Sequence, residues 1–380
     1  MKKFKNVYLL ILCLAFFACK EPYAPTVTTI NHNFLIIEGF INTGADSTII
    51  NLSRSVLVDN KNTANPELNA TVTVESDANN SYTLNNLGKG VYASAGLNLD
   101  NSKKYRLRIK TSKGVTYLSD FVESKISPVI DAVGFDVKDD GIQVHVNTHD
   151  DSNNSKYFRW EYKDTWQFNS DYYSVLSYNG IKGPGFQDRL YPDENIATCW
   201  TTKSSNNILL GSTLKLEKDV INKAPLTFIE SSSEKISVRY SILVKQYVIT
   251  KEAFEFWEKL KKNTENLGSI FDTQPSELRG NVYNVADRNE PVVGFIGAGV
   301  TQTKRFFINK KELPNWALKY PYKCAELDTL NNFFATKAMQ TGLKTPLAFV
   351  LVDGVTYILL VDKECGDCTI RGVNRKPSFW

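Results

Sequence analysis

Lys104-Tyr-Arg-Leu-Arg-Ile-Lys110 places an apolar side chain at every second position, with a cation on either side of each one. Successive side chains of a β-strand point to opposite faces, so this period of two predicts a strand with one buried and one solvated face. Lys113-Gly114 is a turn signal, and Val115 to Leu118 provides the returning strand. The stretch therefore predicts antiparallel β structure.

Short strands of the same kind extend on both sides of this hairpin. Phe34 to Ile37, Ser47 to Ser53 and Ala70 to Glu75 are rich in β-branched and apolar residues. Polar turn residues such as Asn85-Asn86 separate the strands. Six or so short strands at this spacing predict an N-terminal β-sandwich over residues 28–125, of immunoglobulin-like or transthyretin-like type.

Residues 126–380 predict a larger β-rich domain. Lys138-Asp-Asp-Gly141 separates two apolar strands and is a hairpin signature. Two helices interrupt the strands, an amphipathic one over residues 250–267 and a short second one from Asp328 to Met339. The whole chain is therefore predicted to be mainly β.

The amphipathic helix has both a start signal and an apolar stripe. Thr250 can cap it, and Gly268 can end it. The stripe consists of Ala253, Phe254, Trp257, Leu260 and Leu267. Its polar face is mixed, with predicted i,i+4 ion pairs Glu255/Lys259 and Glu258/Lys262. A mixed face favours packing against a sheet over lying on a membrane, which draws on a basic face.

The N-terminus has the pattern of an export signal. Three lysines precede the short apolar run from Val7 to Cys19, which is too short to span a bilayer. Ala18-Cys19 closes the run as in a bacterial lipoprotein signal. We expect a signal peptide over residues 1–18, lipid on Cys19 and a tether over residues 19–27; the alternative is an ordinary secretory signal.

Charge and composition limit the classes of partner. The chain has 45 basic and 41 acidic residues, and loss of the three signal lysines leaves 42 against 41. Such a balance gives no electrostatic basis for binding nucleic acid. Lipid is then the expected attachment to a membrane, and more than one acyl chain is needed for stable anchoring.

An aromatic run from Tyr157 to Tyr178 is the candidate ligand surface. Its exposed members could stack on a sugar or a peptide, and the weak candidates are Trp160, Trp166, Tyr172 and Tyr173. The alternative is a strand whose aromatic side chains fill a core. Strict alternation at Phe158, Trp160 and Tyr162 favours that alternative.

Four cysteines remain after the signal and the lipidated residue: Cys199, Cys324, Cys365 and Cys368. An even number in an exported chain favours disulfides over a zinc site or a redox pair. We expect Cys199 and Cys324 each to pair with one of the two C-terminal cysteines, which straps the tail to the body. The alternative connectivity joins Cys365 directly to Cys368.

Catalytic residues are not evident. The chain has only three histidines, which argues against zinc and Ser-His or Cys-His chemistry, and we expect no metal and no cofactor. Candidate acids for a carboxylate-based hydrolase are Asp139, Asp140, Asp150 and Asp151. All four lie in turn-like sequence, where solvated acids are common.

Five segments together resemble a Bacteroidota lipoprotein family known only as domain of unknown function 4249. The segments are Leu35 to Asn42, Tyr157 to Trp160 with Trp166, Cys199-Trp200, the helix Glu252 to Leu260 with Gly268-Ser-Ile-Phe-Asp272 and Gly280-Asn-Val282, and Cys365-x-x-Cys368 to Lys376-Pro-Ser-Phe-Trp380. Members tend to be encoded beside TonB-dependent outer-membrane receptors, so the resemblance implies an accessory role in uptake. The family has no established catalytic or ligand residues.

The leading functional expectation is a non-enzymatic, lipid-anchored outer-membrane protein that faces the cell surface. It would capture ligand for a TonB-dependent transporter or form the transporter's lid. Lys20-Glu21 partly resembles the signal that directs lipoproteins to the cell surface. The alternatives are a surface scaffold or adhesin without a soluble ligand and, third, a hydrolase.

Overall fold

The computed structural model describes residues 33–56, 65–180, 185–265, 278–319, 322–324 and 326–380. The predicted signal peptide, Cys19 and the tether lie outside these residues, as do Gly268 and the last two positions of the predicted 250–267 helix. Across the described ranges, strands outnumber helices by far, which confirms the mainly β prediction.

The first β-unit contains the stretch that opened the sequence analysis. Tyr105, Leu107 and Ile109 are buried while the cations between them are not, as predicted. The unit's strands form one continuous hydrogen-bonded sheet around a single core. They are β1 Leu35–Asn42, β2 Thr48–Arg54, β3 Thr71–Ser76, β4 Ser81–Thr83, β5 Asn85–Gly88, β6 Val91–Ser94, β7 Lys104–Lys110, β8 Thr116–Ser119, β9 Val122–Ile126, β19 Val282–Asn284, β20 Val292–Val293 and β21 Ala298–Val300.

Residues 282–300 correct the predicted domain boundary, because they return to the unit expected to end at residue 125. Strand β1 pairs in parallel with both β20 and β21, and β19 adds to β8. Gly299 has a positive φ of 157°, and a Cβ there would lie 2.0 Å from the Lys125 carbonyl oxygen. Only glycine allows that close approach, so β21 can lie between β1 and β9.

The second β-unit has two sheets that share one core. Strands β10, β11 and β17 form one sheet, and β15, β12, β18 and β22 form the other, with β16 added to β12. Lys138 pairs with Gly141, which confirms the predicted hairpin. The strands are β10 Ile130–Lys138, β11 Gly141–Asp150, β12 Tyr157–Asn169, β15 Thr198–Ser204, β16 Leu209–Ser212, β17 Asp219–Glu230, β18 Arg239–Val248 and β22 Gln302–Asn309.

The C-terminal unit is a small three-stranded sheet covered by one helix and a two-stranded ribbon. The predicted second helix starts later than Asp328, because Asn331 caps it by accepting a hydrogen bond from the Phe334 N–H at 3.1 Å. Residues 328–330 instead form a strand against β25. The elements are β13 Leu176–Tyr178, β14 Phe186–Asp188, β23 Asp328–Leu330, α2 Asn332–Gln340, β24 Lys344–Val352, β25 Val355–Asp362 and α3 Lys363–Gly366.

Helix α1, Lys251–Glu265, follows β18 directly. Thr250 Oγ1 accepts a hydrogen bond from the Ala253 N–H at 3.2 Å, as the cap prediction requires. The stripe prediction was partly wrong: Phe256 is buried, whereas Trp257 is only half-buried. None of the described helices is long and apolar enough to cross a bilayer.

The polar face of α1 also differs from the prediction. The pair Glu258–Lys262 forms, with its charged atoms 3.5 Å apart. Glu255, however, pairs with Lys251 at 3.6 Å rather than with Lys259. This choice leaves the Lys259 ammonium without an ion-pair partner among the residues that the structure describes.

Candidate functional site

The start of α1 packs between the first and second β-units. Ala253 joins Tyr247 and Ile249 of the second unit in one apolar cluster, to which Phe40 of the first unit contributes. The rings of Phe40 and Tyr247 meet edge to face, with their centroids 5.0 Å apart. Such aromatic contacts add to the apolar burial that fixes the helix here.

Polar contacts hold the two units in a fixed relation beside the helix. Ser127 Oγ accepts from the Val248 N–H at 2.9 Å, and Lys245 Nζ donates to Asp46 at 2.8 Å. Partial burial alone would raise the pKa of Asp46, but the hydrogen bonds from Lys245 and the Ser47 N–H outweigh it and lower that pKa. The carboxylate is therefore ionised and binds the second unit across the boundary.

A cleft of about 750 Å³ opens where the two units and α1 meet. Apolar side chains form its floor, among them Val122, Tyr157, Ile249, Phe256 and Phe295. Val122, Ile249 and Phe256 are nearly inaccessible to solvent, so the floor is continuous with the packed interior. A cleft of this volume is large enough to hold a small molecule.

Ten charged residues line the cleft, and cations outnumber acids by two. The cations are Lys104, Lys125, Lys156, Lys251, Lys259 and Arg279, and the acids are Asp120, Glu123, Glu252 and Glu255. Most of these charges are already neutralised. Glu123 lies 3.1 Å from Lys125 and 3.9 Å from Lys104, and Lys156 lies 2.8 Å from the buried Asp219.

Glu252 is held ionised at the first turn of α1. Hydrogen bonds from its own backbone N–H and from Thr250 lower its pKa, and the charge of Lys125 across the cleft lowers it further. Negative charge is also stabilised at a helix N-terminus. Glu252 therefore acts as a fixed anion of the wall and holds no proton near neutral pH.

Two charged residues of the cleft stand apart from these pairs. Asp120 precedes β9 of the first unit, and Lys259 belongs to α1; both line the cleft. Both are exposed, and neither side chain has an ion pair or hydrogen bond within the described ranges. Glu252 likewise forms no ion pair within the described ranges, and Glu123 is shared by two lysines, so the lining carries charges of both signs that are not paired one to one.

The structure does not bring the predicted aromatic candidates together on one surface. Trp160 and Trp166 are 2% and 6% exposed, so the prediction that they contact ligand is wrong. Their alternation on β12 turns them into the core of the second unit. Tyr172 is half-buried beside the Cys324–Cys365 bridge, and Tyr173 alone is exposed, stacked on Tyr191 with centroids 5.2 Å apart.

The four cysteines of the described residues form two disulfides, Cys199–Cys368 and Cys324–Cys365. This confirms that each upstream cysteine pairs with one of the two C-terminal cysteines. Because all four sulfurs are used, the zinc-site and redox-pair alternatives are wrong. The first bridge joins β15 of the second unit to the C-terminal segment.

The last two residues lie on the outer face of the five-stranded sheet. The Trp380 indole N–H donates to Gln167 Oε1 at 3.3 Å, and its ring meets Phe307 edge to face. Arg305 lies over the Phe379 ring, with its guanidinium carbon 3.5 Å from the centroid. The disulfides and these contacts together fix the tail.

The predicted hydrolase acids lie away from the cleft. Asp139 and Asp140 occupy the exposed β10–β11 turn. Asp150 accepts hydrogen bonds from the hydroxyls of Ser152 and Ser155, both at 2.6 Å, and so organises its own turn. The sequence analysis did not single out the acids that line the cleft, which are Asp120, Glu123, Glu252 and Glu255. The cleft forms only once residues 278–300 return to the first β-unit, and no local pattern predicts that return.

Comparison with known proteins gives little beyond the family. No curated protein matches the chain. Among solved structures, the crystal structure of a Salmonella alpha-2-macroglobulin mutant aligns at 9% identity, over 60% of this chain and 14% of that one, with a TM-score of 0.18. This chain spans only that small part of its length, and so low a score supports no argument.

A family model does match, and over most of the chain. It is described as Domain of unknown function (DUF4249) and aligns with residues 20–305. That range contains the first β-unit, helix α1, every residue that lines the cleft, and the second β-unit up to the middle of β22. The chain belongs to the DUF4249 family.

Proposed function

We propose that this protein is a non-enzymatic lipoprotein, anchored in the outer membrane through Cys19 and facing the cell surface. In this role it captures a small ligand for a TonB-dependent transporter. The observation that supports capture is the cleft of about 750 Å³, with its apolar floor and charged walls. The anchor rests on the basic head, the short apolar run and Ala18-Cys19.

A hydrolase is the alternative that the cleft itself suggests, because two carboxylates, Glu123 and Glu252, line it. A glycoside hydrolase needs one carboxyl group whose pKa is raised, so that it can donate a proton. Glu252 has a lowered pKa, and Glu123 is held by two lysines. These features favour binding over acid catalysis.

A scaffold or adhesin would use the same anchor but would not need a cleft. Continuous apolar burial at the junction between the β-units could then serve rigidity alone. The two roles differ in one respect, since only capture requires that changes to the charged lining of the cleft alter the binding of a soluble molecule.

The anchor is tested by replacing Cys19 with alanine. We expect the variant to lose acylation and to move from the membrane fraction to the soluble fraction, because the proposed anchor is the lipid on Cys19. Palmitate labelling and fractionation measure both effects. Cys13→Ala is the matched control, since Cys13 lies inside the signal and should leave localisation unchanged. Palmitate that persists on the Cys19→Ala protein would contradict the anchor.

A further inference from the structure

We infer that two copies of this protein pair through the free edge of β24, residues 348–352, and form a twofold dimer with one continuous sheet across their C-terminal units. The inference is independent of the proposed capture function. It follows from three properties of the free edge: its open backbone groups, its lack of charge and its fit to a copy of itself.

The backbone of the free edge is open. β24 is the outer strand of the sheet order β23–β25–β24. The Leu347 carbonyl oxygen accepts a hydrogen bond from the Val175 N–H at 2.8 Å, so the segment that leads into β13 covers β24 up to that residue. Beyond it, no backbone group of the free edge is hydrogen-bonded to a residue outside the hairpin within the described ranges.

The turn of the hairpin determines which backbone groups point outward. Asp353 and Gly354 both have positive φ, 50° and 80°, as a two-residue type I′ turn requires. The residues on either side of such a turn form a hydrogen-bonded pair, and along an antiparallel ladder these pairs alternate with pairs that exchange no hydrogen bond. The N–H and C=O groups of Phe349 and Leu351 therefore point away from β25, toward the open side.

The side chains of the free edge do not protect it from pairing. It reads Ala-Phe-Val-Leu-Val, whereas edge strands are commonly protected by charged residues or proline. Leu351 is 70% exposed and Phe349 is 47% exposed. The one charge of β24, Lys344, is already neutralised, since its ammonium lies 2.7 Å from Asp328 and 2.8 Å from Asp362. Like charges on β24 therefore do not oppose the approach of a second copy.

The cover of this edge has to supply hydrogen bonds. The hydrocarbon of a bilayer cannot, because it would leave the outward N–H and C=O groups unsatisfied. An uncharged, apolar strand with one open side can, and β24 itself has all of these properties. A copy of this chain is therefore the occupant that the free edge fits.

Antiparallel pairing about a twofold axis at Val350 places Phe349 of each copy opposite Leu351 of the other. The outward groups of these residues then exchange hydrogen bonds, and their exposed side chains cover each other. The twofold axis closes the assembly at two copies. Few side chains take part, compared with about 20–30 residues a side in a standard interface, so we expect a reversible dimer with a micromolar dissociation constant.

The test introduces single cysteines into the full chain in cells of its native host. Val350→Cys lies on the twofold axis, where the facing Cα atoms of a pair without hydrogen bonds are about 4.5 Å apart, within the reach of a disulfide. Leu351→Cys is the matched control: it is more exposed, but the register places the two cysteines two positions apart, beyond that reach. We expect non-reducing gels to show a linked dimer for Val350→Cys and little for Leu351→Cys, with peptide mapping locating the bridge at residue 350.

A second measurement follows the mass of the purified protein by light scattering over a micromolar concentration series. Leu351→Lys should raise the dissociation constant of the dimer at least about tenfold, because it places an unpaired charge in the apolar contact. Leu87→Lys is its control, since Leu87 has similar exposure but lies on β5 of the first unit. We expect this variant to dimerise as the wild type does.

Three results would overturn the dimer. The first is no linked dimer from Val350→Cys, or equal linkage of the two cysteine variants. The second is a bridge from residue 350 to a different protein, which would assign the free edge to that partner. The third is a wild-type protein that stays monomeric throughout the concentration series.

Discussion

Replacing Cys199 and Cys368 together by alanine should lower the free energy of unfolding of the oxidised protein by about 5 kcal/mol. The bridge closes a separation of 169 residues, and cross-linking over so long a loop removes much entropy from the unfolded chain. Both sulfurs lie in the core of the second β-unit, and the bridge joins that unit to the C-terminal segment. Its loss should therefore also release the Trp380 indole from Gln167.

Urea unfolding followed by tryptophan fluorescence measures this change. The matched control is Cys324→Ala/Cys365→Ala, which opens a separation of only 41 residues and should cost about 4 kcal/mol. Peptide mapping without reductant should recover the linkages Cys199–Cys368 and Cys324–Cys365 in the wild type. If the free energy of unfolding of the Cys199/Cys368 variant falls by less than about 1 kcal/mol, this disulfide does not stabilise the attachment of the C-terminal segment as predicted.

Trp160→Ala should cost about 3–5 kcal/mol, the range for truncating a buried large aromatic side chain. The indole N–H of Trp160 donates to Gln246 Oε1 at 2.8 Å, and its ring stacks on Phe158 with centroids 5.7 Å apart. Gly211 completes the fit, since a Cβ there would lie 2.6 Å from the Trp160 ring. Truncation would leave both a cavity and a buried amide with one partner fewer.

Tyr173→Ala is the control for that variant, because Tyr173 came from the same aromatic run and is 59% exposed. Its removal should change stability by no more than about 0.5 kcal/mol. Denaturant unfolding of the two variants side by side tests the division between core and surface. If Trp160→Ala lowered the free energy of unfolding no more than Tyr173→Ala does, Trp160 would not be a core residue, and its role as a ligand-contacting residue would regain support.

Local patterns accounted for much of the fold. The alternation at Tyr105, Leu107 and Ile109 and the turn at Lys138-Asp-Asp-Gly141 depend on neighbours in sequence, so the strands and the hairpin could be predicted. The Thr250 cap is equally local. The same alternation correctly favoured a core position for Trp160 over a ligand surface.

Features that depend on distant residues could not be predicted. The parallel pairing of β1 with β20 and β21 joins segments more than 250 residues apart, and short strands such as Val292–Val293 carry no periodicity. The cysteine count predicted two bridges to the tail, but their connectivity required the packed order of the strands. The cleft depends on the return of residues 282–300 to the first β-unit, since Arg279, Asn281 and Phe295 of this part of the chain belong to its lining.

We propose that this protein is a lipoprotein and works with a TonB-dependent transporter at the outer membrane. The most direct measurement is affinity purification of the acylated chain from gently solubilised outer membranes of its native host, followed by mass spectrometry, with the Cys19→Ala protein as control. We predict that a TonB-dependent barrel is enriched with the acylated chain and depleted with the control. Recovery of the acylated protein with no such barrel would contradict the claim.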